Sequence, residues 1–122
     1  MCDGDHQRRE WRFYIRDMIG FSERVLSYSA GVDQEALVAD ERTCDATLRN
    51  LELIGEAATH IPEDVRDAHP EIPWHAIIGT RNRLAHGYLS ISDSVIWSII
   101  RDAVPRLLPA LRNLMTETED PA

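Results

Sequence analysis

Apolar residues recur along this chain at spacings of three, four and seven, which is the periodicity of amphipathic helices and not of strands. The first such stretch predicts a helix from about Asp5 to Ser29, which Gly31 ends because glycine readily adopts the backbone conformation of a helix C-terminus. A short turn is predicted at 33–39, with Asp33 as its capping residue. The apolar stripe of the first helix consists of Trp11, Tyr14, Ile15, Met18, Val25 and Leu26.

A second long helix is predicted from about Asp40 to His60, and one glycine within it needs an explanation. Glycine inside a helix costs about 1 kcal/mol relative to alanine. We therefore predict that Gly55 marks a place where a neighbouring helix packs closely against this one. The apolar stripe of the second helix consists of Cys44, Leu48, Leu51, Ile54, Gly55 and Ala58.

The middle of the chain predicts two further helices separated by a proline loop. Pro62 suits the first turn of a short helix from Glu63 to Ala68. The loop at 69–73 is stiff, since each of its two prolines disfavours helix at the preceding residue. The next helix is predicted from near Pro73 to about Gly87, where a left-handed cap is expected.

The last helix is predicted to follow the N-cap Ser92, with a kink at Pro105. Its apolar stripe consists of Val95, Ile96, Ile99, Ile100, Ala103, Leu107, Leu111 and Leu114. Together these elements predict an all-α fold, an antiparallel bundle of about four main helices plus short helices. We expect a single domain over residues 1–122, with frayed ends at about 1–5 and 116–122.

The composition is that of a soluble globular protein, with 43% hydrophobic and 28% charged residues. No apolar stretch approaches the roughly 20 residues that a membrane span needs, and the polar segment 1–10 is not a secretory signal. Cys2 and Cys44 are too few for a disulfide framework. These features together predict a cytoplasmic protein without membrane contact.

The net charge of −8 argues against broad coating of nucleic acid, because neutralising phosphates needs clustered cations. Any RNA site must therefore depend on a local positive group; all 13 basic residues are arginine. His60, His69 and His75 are scattered around the proline loop without the spacing of metal ligands, so no metal is expected. The chain also lacks a glycine-rich phosphate loop, and we expect no cofactor.

Arg81 is the anomaly of the fourth predicted helix, which begins near Pro73. On a helical wheel with 100° per residue, Arg81 falls in the middle of the apolar side. That side is formed by Trp74, Ile77, Ile78, Leu84 and Ala85. An inward-facing arginine is unfavourable unless it is paired or serves a ligand. Arg81 either extends its head to solvent, or pairs with an acidic residue such as Glu52 or Glu56, or binds a ligand.

The neighbours of Arg81 favour a ligand. Asn82 and His86 lie four residues apart, so they share a second face of the helix at the edge of the apolar side. Tyr88 lies on the same face as Arg81 if the helix extends that far. Arg83 is expected to point to solvent, as a surface charge or a phosphate contact. Each residue also has an ordinary interpretation: a helix-end histidine, an asparagine that orients it and a tyrosine at the edge of the core. A guanidinium, an imidazole and a phenol within eight residues nevertheless indicate a site.

The segment from Arg81 to Tyr88, Arg-Asn-x-x-x-His-x-Tyr, resembles the signature of the HEPN superfamily. It is most similar to the HepT-like toxins that are paired with MntA nucleotidyltransferase antitoxins. Residues 51–57, 72–79 and 92–111 also resemble that family, so the resemblance covers nearly the whole chain. It implies an all-α fold that forms a homodimer, with the two motifs facing each other across the dimer axis.

The resemblance further implies a metal-independent endoribonuclease in which Arg81 and His86 are catalytic. Asn82 and Arg83 would support them, and Tyr88 matches the tyrosine that the antitoxin modifies with AMP. The chemistry is consistent with these residues, because RNA supplies its own 2′-hydroxyl nucleophile and a histidine can act as acid or base near neutral pH. An arginine can hold the phosphate by two parallel hydrogen bonds. A homodimer would provide two histidines, one for each proton transfer.

A non-catalytic role remains the alternative. In that interpretation the chain is a dimeric helical scaffold that binds a nucleotidyltransferase, or a member that binds RNA without cutting it. The charge of −8 fits a protein-binding surface at least as well as an RNA-binding one. The joint presence of Arg81 and His86 favours the enzyme, because a pure scaffold needs neither.

Overall fold

The computed structural model describes residues 3–87 and 90–118, with side chains from Glu10 onward, and the described residues contain no strand. The all-α prediction is therefore confirmed, with four longer helices and three short ones. The helices are α1 Asp3–Ser29, α2 Gln34–Ala39, α3 Glu41–Ala58, α4 Glu63–Ala68, α5 Trp74–His86, α6 Asp93–Ser98 and α7 Val104–Glu117, with a π-helical segment Ile99–Ala103 between the last two.

The core lies between the long helices of the bundle. Helix α1 packs against α3 and α7, and α3 also packs against α5. The predicted apolar stripes supply most of the buried side chains, although Ala85, Val95 and Ala103, which were assigned to apolar faces, are exposed. The most completely buried large side chains are Ile15, Met18, Val25, Ile61, Ile72, Ile100, Leu111 and Leu114.

The predicted helix ends are largely confirmed. Gly31 follows α1 with a φ of +74°, and the Asp33 and Ser92 side chains accept hydrogen bonds from the first turns of α2 and α6. The predicted turn at 33–39 is in fact a short helix. Asp40 caps α3 in the same way, and its hydrogen bonds from the Thr43 hydroxyl and N–H lower the pKa of the Asp40 carboxyl.

The last helix differs in form from the single kinked helix that the sequence predicts. The π-helical segment comes directly before Pro105, where the N–H of Val104 donates to the carbonyl of Ile99, five residues back. A proline has no N–H to donate to the backbone hydrogen bonds of the helix, and its ring clashes with the carbonyl group four residues earlier. A wider turn at this point accommodates both effects, so the disturbance takes the form of a π segment.

The helices extend into both segments that the sequence assigns to frayed ends. Helix α1 begins at Asp3 and α7 ends at Glu117. At the C-terminus, the Arg12 guanidinium donates to the carbonyl oxygens of Met115 (3.3 Å) and Thr118 (2.6 Å). These bonds satisfy carbonyl groups that the helix end leaves without an internal partner.

Two features are absent from the described residues. No helix among them is long and apolar enough to cross a membrane. Among the same residues there is no group of three or more His, Cys, Asp or Glu side chains placed to hold a metal ion.

Candidate functional site

Helix α5 carries the motif and is anchored at its start. The indole N–H of the buried Trp74 donates to the carbonyl oxygen of His69 at 3.0 Å, which ties the helix to the proline loop. The helix ends at Gly87, whose N–H donates to the carbonyl of Arg83 at 3.1 Å. The φ of Gly87 is +155° with ψ 137°, so the expected left-handed cap is replaced by an extended conformation that still favours glycine.

Helices α3 and α5 pack closely against each other at Gly55. A Cβ atom added to Gly55 would lie 2.1 Å from the Cβ of Arg81 and 2.9 Å from the carbonyl oxygen of Ile77. No side chain fits at those distances, which confirms that Gly55 marks close packing between helices. The base of the Arg81 side chain is therefore fixed at the contact between the two helices.

The Arg81 guanidinium has two partners. Its Nη2 group donates to the Glu56 carboxylate, and its Nη1 group donates to Oδ1 of Asn82 at 2.9 Å. Among the alternatives that the sequence left open, pairing with Glu56 is the one observed, whereas Glu52 pairs with Arg49 at 2.9 Å on its own helix.

Solvent still reaches the pair. The side chains of Arg81 and Glu56 are 31% and 45% exposed, so the anomalous charge lies at the edge of the core and not inside it. A guanidinium carries five N–H donors, and its two observed contacts engage two of them. The ion pair therefore leaves Arg81 able to bind an external anion.

Glu56 connects Arg81 to a second group that sequence reasoning missed. The Nε2 atom of His60 lies 3.7 Å from the other carboxylate oxygen of Glu56. The His60 ring stacks on Tyr14 of α1 with ring centroids 4.5 Å apart and planes within 11°. The four-residue spacing of Glu56 and His60, which lies just beyond the end of α3, is the sequence signal that could have revealed this contact.

His86 and Asn82 are both exposed on the outer part of α5. Five residues separate Arg81 from His86, which places their side chains about 140° apart around the helix axis. In the described part of the chain, Arg81 and Asn82 are joined by a hydrogen bond, but none joins either of them to His86. One chain therefore presents a single motif imidazole to solvent at the end of α5.

Arg83 has a structural task that the sequence did not predict. Its guanidinium donates to the carbonyl oxygen of Ser90 at 2.8 Å. The Ser90 hydroxyl lies 2.8 Å from the Arg83 carbonyl oxygen and 2.7 Å from that of Gly87, and it donates to both. Arg83 and Ser90 thus close the turn after α5. Tyr88, the predicted modification site, lies outside the described residues.

The model of the family described as ribonuclease HepT-like matches residues 18–114, which include α3, α5 and the whole candidate site. This chain belongs to the ribonuclease HepT-like family. A curated relative from Thermococcus cleftensis, named "Probable ribonuclease HepT", is 32% identical over 100 residues, which cover 82% of this chain and 91% of the relative.

Two further curated relatives in other organisms cover similar shares. A "Putative RNase" of Caldanaerobacter subterraneus subsp. tengcongensis is 30% identical over 104 residues, or 85% of this chain and 93% of that protein. A "Putative RNase" of Methanocaldococcus jannaschii is 26% identical over 112 residues, or 92% and 93%. No solved structure matches this HepT-like chain. The family resemblance seen in the sequence is thereby confirmed.

Proposed function

We propose that this protein is a metal-independent endoribonuclease that acts as the toxin of a toxin–antitoxin pair. The observation that carries the proposal is the position of Arg81, a partly exposed guanidinium fixed where α3 and α5 meet, on the same helix as an exposed histidine. Membership in a ribonuclease-named family and relatives named as RNases support RNA as the substrate.

Arg81 and His86 divide the chemistry between charge and proton transfer. Arg81 holds the scissile phosphate and stabilises the negative charge that develops on it. His86 takes the proton of the 2′-hydroxyl, whose oxygen then attacks the adjacent phosphorus. The bond from phosphorus to the 5′-oxygen breaks, and an acid protonates the leaving oxygen. The products are a 2′,3′-cyclic phosphate and a 5′-hydroxyl, and no step needs a metal ion.

A homodimer supplies both the base and the acid. Each chain offers one motif imidazole, but the reaction needs two proton transfers at one phosphate. If the ends of two α5 helices meet at a two-fold axis, His86 acts as base and His86 of the partner subunit acts as acid. The exposure of His86 and Asn82 on α5 is consistent with such an apposition. The symmetric interface is of the commonest type for homo-oligomers.

The deciding experiment is an RNA cleavage assay in excess EDTA with analysis of the product ends. Wild type should cut and leave cyclic phosphate and 5′-hydroxyl ends. Arg81→Ala and His86→Ala should each lose at least about 100-fold in kcat/KM. His75→Ala is the matched control, since His75 is an exposed histidine on the same helix, and it should cut like wild type. Loss of cleavage in EDTA, or 5′-phosphate ends, would refute the mechanism.

A mixed dimer tests whether the site is shared between two chains. Differently tagged wild-type and His86→Ala chains are co-expressed, and the heterodimer is isolated through both tags. A composite site with one acid and one base predicts a heterodimer almost as inactive as the His86→Ala homodimer. Half of the wild-type activity would instead show that each chain carries a complete site of its own.

The same proposal assigns the control of the toxin to Tyr88. A cytoplasmic MntA-like nucleotidyltransferase antitoxin would transfer AMP from ATP to the Tyr88 oxygen and release pyrophosphate. In the sequence, Tyr88 follows α5 by two residues and lies between Arg83 and Ser90, which are hydrogen-bonded to each other. A phosphate added at this end of α5 would compete with RNA for Arg81 and block the site with added bulk.

A non-catalytic scaffold is the second candidate, and the ion pair between Arg81 and Glu56 favours it together with the charge of −8. An arginine that already has a carboxylate partner can be purely structural. Expression in a bacterial host separates the two functions. A toxin arrests growth as wild type but not as Arg81→Ala or His86→Ala. A scaffold leaves growth unchanged in all three cases while the proteins remain folded dimers.

A further inference from the structure

We propose that Glu56 is a positioning residue that holds the Arg81 guanidinium in the orientation that receives the scissile phosphate. This inference rests on the proposed ribonuclease function and assigns a role to a residue outside the Arg81–Tyr88 motif. Glu56 does not touch the RNA in this account. It acts only through Arg81.

Arg81 is restrained at both ends of its side chain. Its Cβ packs against Gly55 of α3. Its guanidinium donates hydrogen bonds to Glu56, which follows Gly55 on α3, and to Asn82 on α5. Arginine has four rotatable side-chain bonds, so ordering its side chain costs conformational entropy. Because both ends of the Arg81 side chain are restrained, the side chain is ordered before RNA binds. Such preorganisation is the condition for effective electrostatic stabilisation of a transition state.

Glu56 also lies near a second group. One carboxylate oxygen faces Arg81, while the other lies 3.7 Å from Nε2 of His60, whose ring stacks on Tyr14. That distance is longer than a hydrogen bond. Glu56 engages one of the five N–H donors of the guanidinium and Asn82 engages a second, which leaves the other donors for a phosphate.

The charge of Glu56 distinguishes positioning from simple attraction. A carboxylate beside Arg81 repels the phosphates of RNA, so its electrostatic effect on substrate binding is unfavourable. Removal of that charge should therefore leave KM unchanged or lower it. Loss of orientation should lower kcat, because catalysis depends on groups that are placed correctly in the transition state.

Glu52 provides a matched control. It lies one turn before Glu56 on α3, is also a partly exposed glutamate and also pairs with an arginine. That partner is Arg49 on the same helix, so Glu52 has no ion pair with α5. Glu52→Gln removes the same charge from the same helix without touching the Arg81 contact.

The test is single-turnover RNA cleavage by the dimeric protein with Glu56→Gln, Glu56→Asp and Glu52→Gln, over a range of enzyme concentrations. We expect the maximal rate of Glu56→Gln to fall roughly 10- to 100-fold, with half-saturation at the same or a lower concentration. Glu56→Asp, which keeps the charge but is one methylene shorter, should recover part of that rate. Glu52→Gln should match wild type.

A double-mutant cycle tests whether Glu56 acts through Arg81. In an Arg81→Gln background, Glu56→Gln should lower the residual rate by less than about twofold, because coupled residues do not add. An equal loss in both backgrounds overturns the proposal, as does a Glu56→Gln rate equal to that of Glu52→Gln. If Glu56→Gln folds poorly, Glu56→Asp replaces it. The loss of rate that Glu56→Asp causes is then compared between the wild-type and Arg81→Gln backgrounds.

Failure of this inference differs from failure of the ribonuclease function. If wild type cuts RNA and Arg81→Ala does not, the ribonuclease stands, and full activity of Glu56→Gln overturns only the positioning role. If wild type itself does not cut RNA, the proposed function falls first, and the positioning role falls with it.

Discussion

The Cβ atom of Arg81 lies directly over Gly55, so the close contact between α3 and α5 at this point also fixes the base of the proposed phosphate-binding side chain. The same contact therefore sets both the packing of these helices and the position of Arg81. Anything that widens the gap between the two helices moves Arg81 away from Glu56 on α3.

Gly55→Ala tests this relationship. Alanine is the better helix former by about 1 kcal/mol, so propensity alone predicts a more stable protein. The added Cβ would however lie 2.1 Å from the Arg81 Cβ and 2.9 Å from a backbone oxygen, which forces α5 to shift. Overpacking of this kind costs about 1–3 kcal/mol. We expect a lower free energy of unfolding in urea and a large loss of RNA cleavage.

Gly20→Ala is the control for Gly55→Ala. Gly20 also lies inside a long helix, but no atom lies within 4 Å of the position that its Cβ would occupy. This variant should gain up to about 1 kcal/mol of stability and keep its cleavage rate. Equal stability of the two alanine variants would show that the contact at Gly55 yields at little cost.

The sequence was sufficient to predict close helix packing at Gly55, but not that Arg81 makes this contact. A glycine inside a helix at an apolar position indicated close packing, and an arginine in an apolar stripe indicated a paired or functional charge. Glu52 and Glu56 remained equal candidates, because both lie on α3 one turn apart. Which of them reaches Arg81 depends on how α5 crosses α3, and that crossing is set by three-dimensional packing at Gly55.

Arg83 shows a different limit of sequence reasoning. Periodicity correctly placed it on the exposed side of α5. Its partner Ser90, however, lies beyond the helix end, and helical periodicity says nothing about the path of a turn. The same limit applies before Pro105, where the sequence indicated a disturbance of the helix but not that it would be a π-helical segment.

Ser90→Ala should weaken the contacts among Arg83, Gly87 and Ser90, which flank Tyr88 in the sequence. The variant loses the hydroxyl contacts to the Arg83 and Gly87 carbonyls, which are exposed and together contribute about 1 kcal/mol or less. The free energy of unfolding should therefore change little, whereas AMP transfer to Tyr88 by the antitoxin should slow. Incorporation of radiolabelled AMP measures the rate, with Ser27→Ala as the control on an exposed part of α1. Identical rates would show that the antitoxin does not require the closed turn.

The Cys44 thiol should react slowly with alkylating reagents at neutral pH. Burial raises the pKa of Cys44, and the nearby charges of Asp45, Asp93 and Asp40 raise it further. The thiolate is the reactive form, so a raised pKa keeps the thiol protonated and moves the onset of alkylation to higher pH than for a free cysteine. The measurement is the iodoacetamide rate against pH in a Cys2→Ser background, folded and in urea. A folded rate equal to the rate in urea at pH 8 would contradict the expectation.

Tyr88→Phe separates chemical modification from simple binding as the mode of neutralisation. The substitution removes only the hydroxyl that would accept AMP, so the variant should cut RNA and remain active in the presence of the antitoxin and ATP. Wild type under the same conditions should lose cleavage in step with AMP incorporation, because the added phosphate competes for Arg81. If the antitoxin silences Tyr88→Phe as fully as wild type, or silences wild type without ATP, then contact with the antitoxin is sufficient and the modification is not the switch.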